Sequence, residues 1–123
     1  MEAVSRKRSN VLRALIDYRL PIEPVLAELA ASEWDSAKDL AILEGTDILQ
    51  VLRRYLSGAL TAEQVVDWAD LVECREDIGF QDGQKEKLSN VIFLLANPNI
   101  SGPVTLELAR KVQIDLGEET HRI

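Results

Sequence analysis

Between Glu63 and Asp77 five carboxylates, Glu63, Asp67, Asp70, Glu73 and Asp77, recur at three- and four-residue spacing with no Lys or Arg before Arg75. At about 100° per residue they share one side of a helix, within an arc of about 120°. Val65, Trp68, Ala69 and Val72 fall on the opposite side. Val66 and Cys74 project from the acidic side. Like charges one turn apart cost a few tenths of a kcal/mol per pair, so a solvated face usually mixes signs. Oxygen-only clusters can hold magnesium or calcium. Here, however, there is no loop of alternating Asp with a central Gly, and no Glu-x-x-His pair of the di-iron kind. Two readings remain. One is a docking face for a cationic partner, made of Glu63, Val66, Asp67, Asp70, Glu73 and Asp77. The other is a solvated face whose charges pair with basic groups elsewhere, such as Arg53 or Arg54.

Other chemistry-bearing residues are sparse. Cys74 sits late in that helix among acids, which raise a thiol pKa and disfavour a nucleophile. The single His, His121, is two residues from the C-terminus. No phosphate-binding glycine loop or nucleophile elbow is present. Arg6-Lys7-Arg8 is a short basic run, read as a solvated end rather than a nucleic-acid contact. Trp34 reads as a lid on the core, and Trp68 as core. No catalytic residue, metal or cofactor is expected.

The elements that must position the acidic face read as helices. Val11, Leu12, Leu15 and Ile16 form an amphipathic stripe, capped by Ser9 or Asn10 and ended before Pro21. Pro24 suits the first turn of a second helix, which carries Val25, Leu26, Leu29 and Ala30 and ends near Ser32. Asp39 to Glu44 fits a helical turn or an extended piece. Gly45-Thr46 is a break and N-cap, with Asp47 in the first turn of a helix over 47–57. Its face is Ile48, Leu49, Leu52, Tyr55 and Leu56, and Gly58 ends it. Thr61-Ala62-Glu63-Gln64 is a capping box with Leu60 and Val65 as its staple, opening a helix over 62–77. Leu88, Val91, Ile92 and Leu95 mark a helix over 85–97, stopped before Pro98. Leu108, Ala109, Val112 and Leu116 mark the last, over 105–116. The stretches 56–63 and 100–107 share the pattern apolar-Ser-Gly-x-apolar-Thr-x-Glu, which fits a repeat of two helical hairpins or, the reading preferred because the matched stretch is short, convergent capping. The expected fold is all-α: an antiparallel bundle of five or six helices, with four core helices in two hairpins.

At 123 residues the chain is one domain, 1–123, with 1–8 and 118–123 polar and expected to be loose. One Cys allows no internal disulfide. There is no signal-peptide pattern and no membrane-length apolar run, so a cytoplasmic protein without membrane contact is expected. The net charge of −7 is uneven: residues 1–22 carry +3, residues 23–82 carry −10, and the rest are neutral. A field of that sign repels nucleic acid and attracts basic proteins.

Tyr55-Leu56-Ser57-Gly58-Ala59-Leu60-Thr61-Ala62-Glu63-Gln64 with Trp68-Ala69, and Leu94-Leu95-Ala96-Asn97-Pro98 followed by Gly102-Pro103-Val104-Thr105, resemble junctions in small helical bacterial proteins. Among these is the colicin D-like, self-protective immunity family. The resemblance spans about 46–116. It implies an all-α bundle that binds a basic nuclease toxin and blocks its active site with an acidic surface. It carries over no individual contact residue. Three functions are thus in play. They are an immunity- or antitoxin-like binder of a basic partner, a structural or adaptor bundle that self-associates as a homodimer, and an enzyme with carboxylate-held metal. The first is the expectation.

Overall fold

The computed structural model describes residues 10–31, 41–75 and 78–117. Among them are seven helices and one small parallel sheet, a mostly helical fold. The helices are α1 (10–16), α2 (Glu23–Ala31), α3 (Gly45–Leu56), α4 (Ala62–Glu73), α5 (Lys85–Ala96), α6 (Pro98–Ser101) and α7 (Leu106–Asp115). The strands are β1 (Ala41–Leu43) and β2 (Ile78–Phe80). The expectations for Ser9, Ser32, Trp34, Asp77, His121 and Arg6-Lys7-Arg8 lie outside the described residues, as do the side chains of Leu29 and Ala30.

The apolar stripes read from the sequence become one core. Val11, Leu12, Leu15 and Ile16 of α1, Ile48, Leu49 and Leu52 of α3, and Leu88, Val91, Ile92 and Leu95 of α5 are all buried. Val65, Trp68, Ala69 and Val72 of α4 are buried among them. α4 packs chiefly against α5, and α3 against α4 and α7. Trp68 is fully enclosed, and its Nε1 donates to the Ile16 carbonyl at 3.0 Å, so the indole fills the core without losing its hydrogen bond.

The segment before α3 resolves to the extended alternative. β1 pairs in parallel with β2, Ala41 opposite Ile78 and Leu43 opposite Phe80, with α3 and α4 forming the crossover. Gln81 extends the ladder by donating its N–H to the Leu43 carbonyl at 2.9 Å. Three residues per strand are too few to show a period, which is why the sequence left this piece open.

Three boundaries differ from the sequence reading. α3 starts at Gly45, so Glu44 is its N-cap. The Asp47 carboxylate accepts the Glu44 N–H at 2.8 Å, and the Gln81 side-chain oxygen accepts that of Gly45 at 3.1 Å. α4 ends at Glu73 with Cys74 as C-cap, because β2 must enter extended at Ile78 to pair with β1. The helical face therefore stops four residues short of Asp77. Finally, α6 adds a short helix beyond the five or six expected, with Pro98 at its first position, where a missing N–H costs nothing.

Candidate functional site

The local signals that launch α4 hold as read. Gln64 N–H donates to Thr61 Oγ1 at 3.1 Å, and Thr61 N–H donates to Gln64 Oε1 at 2.9 Å. Leu60 and Val65 are both buried, forming the staple, and Gly58 makes the preceding turn at φ 90°. This start fixes the rotation of the helix. With Val65, Trp68, Ala69 and Val72 turned to the core, Glu63, Asp67, Asp70 and Glu73 are exposed, as is Cys74. Val66 is half-buried at the edge of the same face.

Arg54, one of the two basic residues offered to neutralise this face, is engaged elsewhere. Its Nη1 donates to the carbonyls of Asp17 and Tyr18 at 3.0 and 3.1 Å, at the C-terminal end of α1, and its guanidinium lies 5.9 Å from the Tyr18 ring centroid. Among the described residues the ion pairs join Arg13 to Asp17 and Asp47, and Arg19 to Asp17; none includes a carboxylate of α4. Glu73 has one long polar contact, 3.5 Å from Asn97 Nδ2 to each oxygen. The α4 carboxylates do act on one neighbour. Burial, and after it the Asp67 charge, hold the Tyr18 hydroxyl above its ordinary pKa of 10.

An open groove of about 410 Å³ lies along the N-terminal half of this face. Ala62, Glu63, Val66 and Asp67 line one side, and Pro98, Pro103 and Val104 the other. Three of the six residues expected to meet a partner are thus gathered in one concavity. Asp70 and Glu73 continue the acidic face along α4 beyond it, and Asp77 lies outside the described residues.

The far wall was not foreseen as part of a site. In sequence its residues mark a helix stop, a second cap and a junction of the kind described above. They are held firmly: Gly102 turns at φ 106° and donates its N–H to the Pro98 carbonyl at 2.9 Å. The Tyr55 hydroxyl of α3 donates to the Val104 carbonyl at 3.4 Å, and Thr105 caps α7 by accepting from Leu108 N–H at 3.1 Å. The one signal that could have pointed here is Pro103, which stands where the matching junction has Ala59.

A second polar centre joins α1 to α3. Asp47 is 6% exposed and pairs with Arg13, which also bonds Asp17 at 3.0 Å. Burial works against the Arg13 charge, but the hydrogen bonds it donates to Asp47 and Asp17, with their charges, outweigh it and raise its pKa. Each member is already matched in charge and hydrogen bonding, so this centre ties helices together and offers no open chemistry.

Among the described residues no group of three or more His, Cys, Asp or Glu stands close enough to hold a metal ion. Nor is any helix among them long and apolar enough to cross a membrane. Compared with family models, curated proteins and solved structures, the chain matches none.

Proposed function

We propose that the protein is a small acidic binding module, immunity- or antitoxin-like, that occludes a basic protein such as a nuclease toxin. One observation supports this above the others: an apolar groove whose only charged lining groups among the described residues are Glu63 and Asp67, continued by exposed Asp70 and Glu73 on a helix without a basic residue. Carboxylates so placed stand where nucleic-acid phosphates would sit on the partner and pair with its Lys and Arg side chains. The module needs no catalytic group or cofactor for this, and its place of action is the cytoplasm. The antiparallel arrangement of α3, α4, α5 and α7 as two hairpins belongs to the same proposal, since it gives α4 a rigid bed.

The test is capture of the partner from cells that make the protein, at low and high salt, followed by association kinetics with the Asp67→Lys, Asp70→Lys double variant. Association slows markedly at low salt, and the difference shrinks as salt rises. A double variant that binds the captured partner with unchanged kinetics at low salt refutes the proposal.

One observation favours a self-associating structural or adaptor bundle instead. Phe93, Ile100, Leu106 and Ile114 are large apolar side chains, 45%, 74%, 47% and 61% exposed. Such residues in one contiguous patch would mark an interface between copies. Light scattering separates the readings: a homodimer indifferent to salt supports the adaptor, and a monomer at working concentration supports the binding module.

A further inference from the structure

The groove beside α4 makes chemical demands of its own. Its seven lining residues are Ala62, Glu63, Val66, Asp67, Pro98, Pro103 and Val104. None of their side chains donates a hydrogen bond, and the two prolines lack a backbone N–H as well. The only polar side chains present are carboxylates, which accept. An occupant must therefore bring the donors and the positive charge, and it must bring apolar surface for the Val66, Pro98, Pro103 and Val104 walls. An anion is repelled, and a fully polar cation leaves the apolar walls wet.

We propose that this groove receives an apolar side chain carried beside an arginine or lysine on an extended segment of a basic protein. The apolar side chain lies between Val66 and the two prolines. The cation lies against Glu63 and Asp67, which are one helical turn apart on the same wall and can both engage it. This rests on the reading of α4 as the docking surface for a basic partner, and adds how that partner is held.

Two features make the occupant a segment rather than a free small molecule. Ile100 of α6, between Pro98 and Pro103 in sequence, and Leu106 at the start of α7, two residues past Val104, are well exposed, so apolar surface adjoins the far-wall residues along the chain. The groove is also open to solvent rather than enclosed, and its 410 Å³ lies at the low end of enclosed ligand pockets. It is preformed: Pro98, Pro103, the Gly102 turn and the Tyr55–Val104 hydrogen bond fix its far wall, so binding orders little of the protein. The apolar contact governs how long the partner stays, and the acidic face governs how fast it arrives.

The experiment is an NMR titration of the ¹⁵N-labelled full chain with the capped peptide Gly-Ser-Leu-Arg-Ser-Gly and two variants, one with Leu replaced by Ser and one with Arg replaced by Glu. With the parent peptide, the amides of 62–67, 99–102 and 104 shift in a saturable way. The Leu-to-Ser peptide binds at least about tenfold more weakly, as expected for losing one buried leucine side chain. The Arg-to-Glu peptide does not bind. Asp67→Asn in the protein weakens the parent peptide about fivefold. Val66→Lys abolishes its shifts while distant amides keep their positions. Absence of saturable shifts with the parent peptide overturns the inference, as does equal binding of the Leu-to-Ser peptide. Shifts confined to Asp70 and Glu73 overturn the groove but leave the acidic docking surface standing, because that surface is judged separately by the double charge reversal against the captured partner.

Discussion

The two junctions that share a sequence pattern, 56–65 and 100–109, can be laid on each other with an offset of 44 residues, and the correspondence runs on into the helices they launch. Gly58 and Gly102 both adopt positive φ, Leu60 and Val104 are both buried, and Thr61 and Thr105 both cap. Val65, Trp68 and Ala69 of α4 are matched by Ala109, Val112 and Gln113 of α7, all buried. The outward faces diverge. Where α4 has Val66, Asp67 and Asp70, α7 has Arg110, Lys111 and Ile114. α4 carries four acids and no base, whereas α7 balances two acids with two bases. The same capping device launches a helix with either surface. The single-sign face of α4 is therefore not something its start or its core requires.

The largest expected effect strikes the deepest matched pair. Trp68→Ala lowers unfolding free energy by about 3–5 kcal/mol, whereas Val112→Ala costs about 1–2 kcal/mol. Denaturant midpoints of the two variants check this. Costs of equal size would mean that α4 and α7 share the core evenly, against the enclosure of the indole.

Next come the caps. Thr61→Ala costs about 0.5–2 kcal/mol, and Thr105→Ala falls at the lower end of that range. Fraying the first turn of α4 loosens Val65, which is fully buried, while fraying that of α7 frees Leu106, already 47% exposed. Thermal unfolding of both variants decides the order, and no loss with Thr61→Ala removes Thr61 from the N-cap.

The outward faces give the smallest changes in stability. Asp67→Lys with Asp70→Lys gives α4 a mixed face like that of α7 and stays within about 0.5 kcal/mol of the parent. A larger loss would mean that the acids serve the fold.

The subtlest reporter is Tyr18. Its pKa in the folded protein lies above 10, so the folded state holds the phenol proton more tightly than the unfolded chain does. That contribution to stability is complete below pH 10 and is lost as pH rises through the raised pKa. Urea midpoints measured above pH 10 fall less in Tyr18→Phe than in the parent. Asp67→Asn brings the tyrosine titration, followed by its ultraviolet absorbance, back toward 10.

What the sequence disclosed follows the reach of its signals. The buried and exposed faces of α4 were legible because a period of 3.6 acts within one helix, and Thr61 with Gln64 because a capping box spans four residues. Asp47 is the first-turn acid of α3 that the sequence marks, but it is also a buried partner of Arg13, which is 34 residues away, a pairing that no local pattern encodes. The parallel strands pair across two helices and carry no period of their own. Within the groove, Glu63, Val66 and Asp67 were foreseen, since they share a helix. Pro98, Pro103 and Val104 were not, because only the packing of α6 and α7 brings them opposite.

The close of α1 has a further consequence. The carbonyl of Ile16 is taken by Trp68 of α4, and those of Asp17 and Tyr18 by Arg54 of α3. Three successive acceptors at one helix end are thus satisfied by side chains from two other helices. α1 cannot lift away without stranding the indole N–H in the core, and α4 cannot shift without baring the end of α1. In hydrogen exchange, the amides of α1, α3 and α4 therefore open together as one cooperative unit, near the free energy of global unfolding. Slow exchange across α4 is then the expected result, and it would mean that the carboxylates meet a partner on a surface that does not breathe.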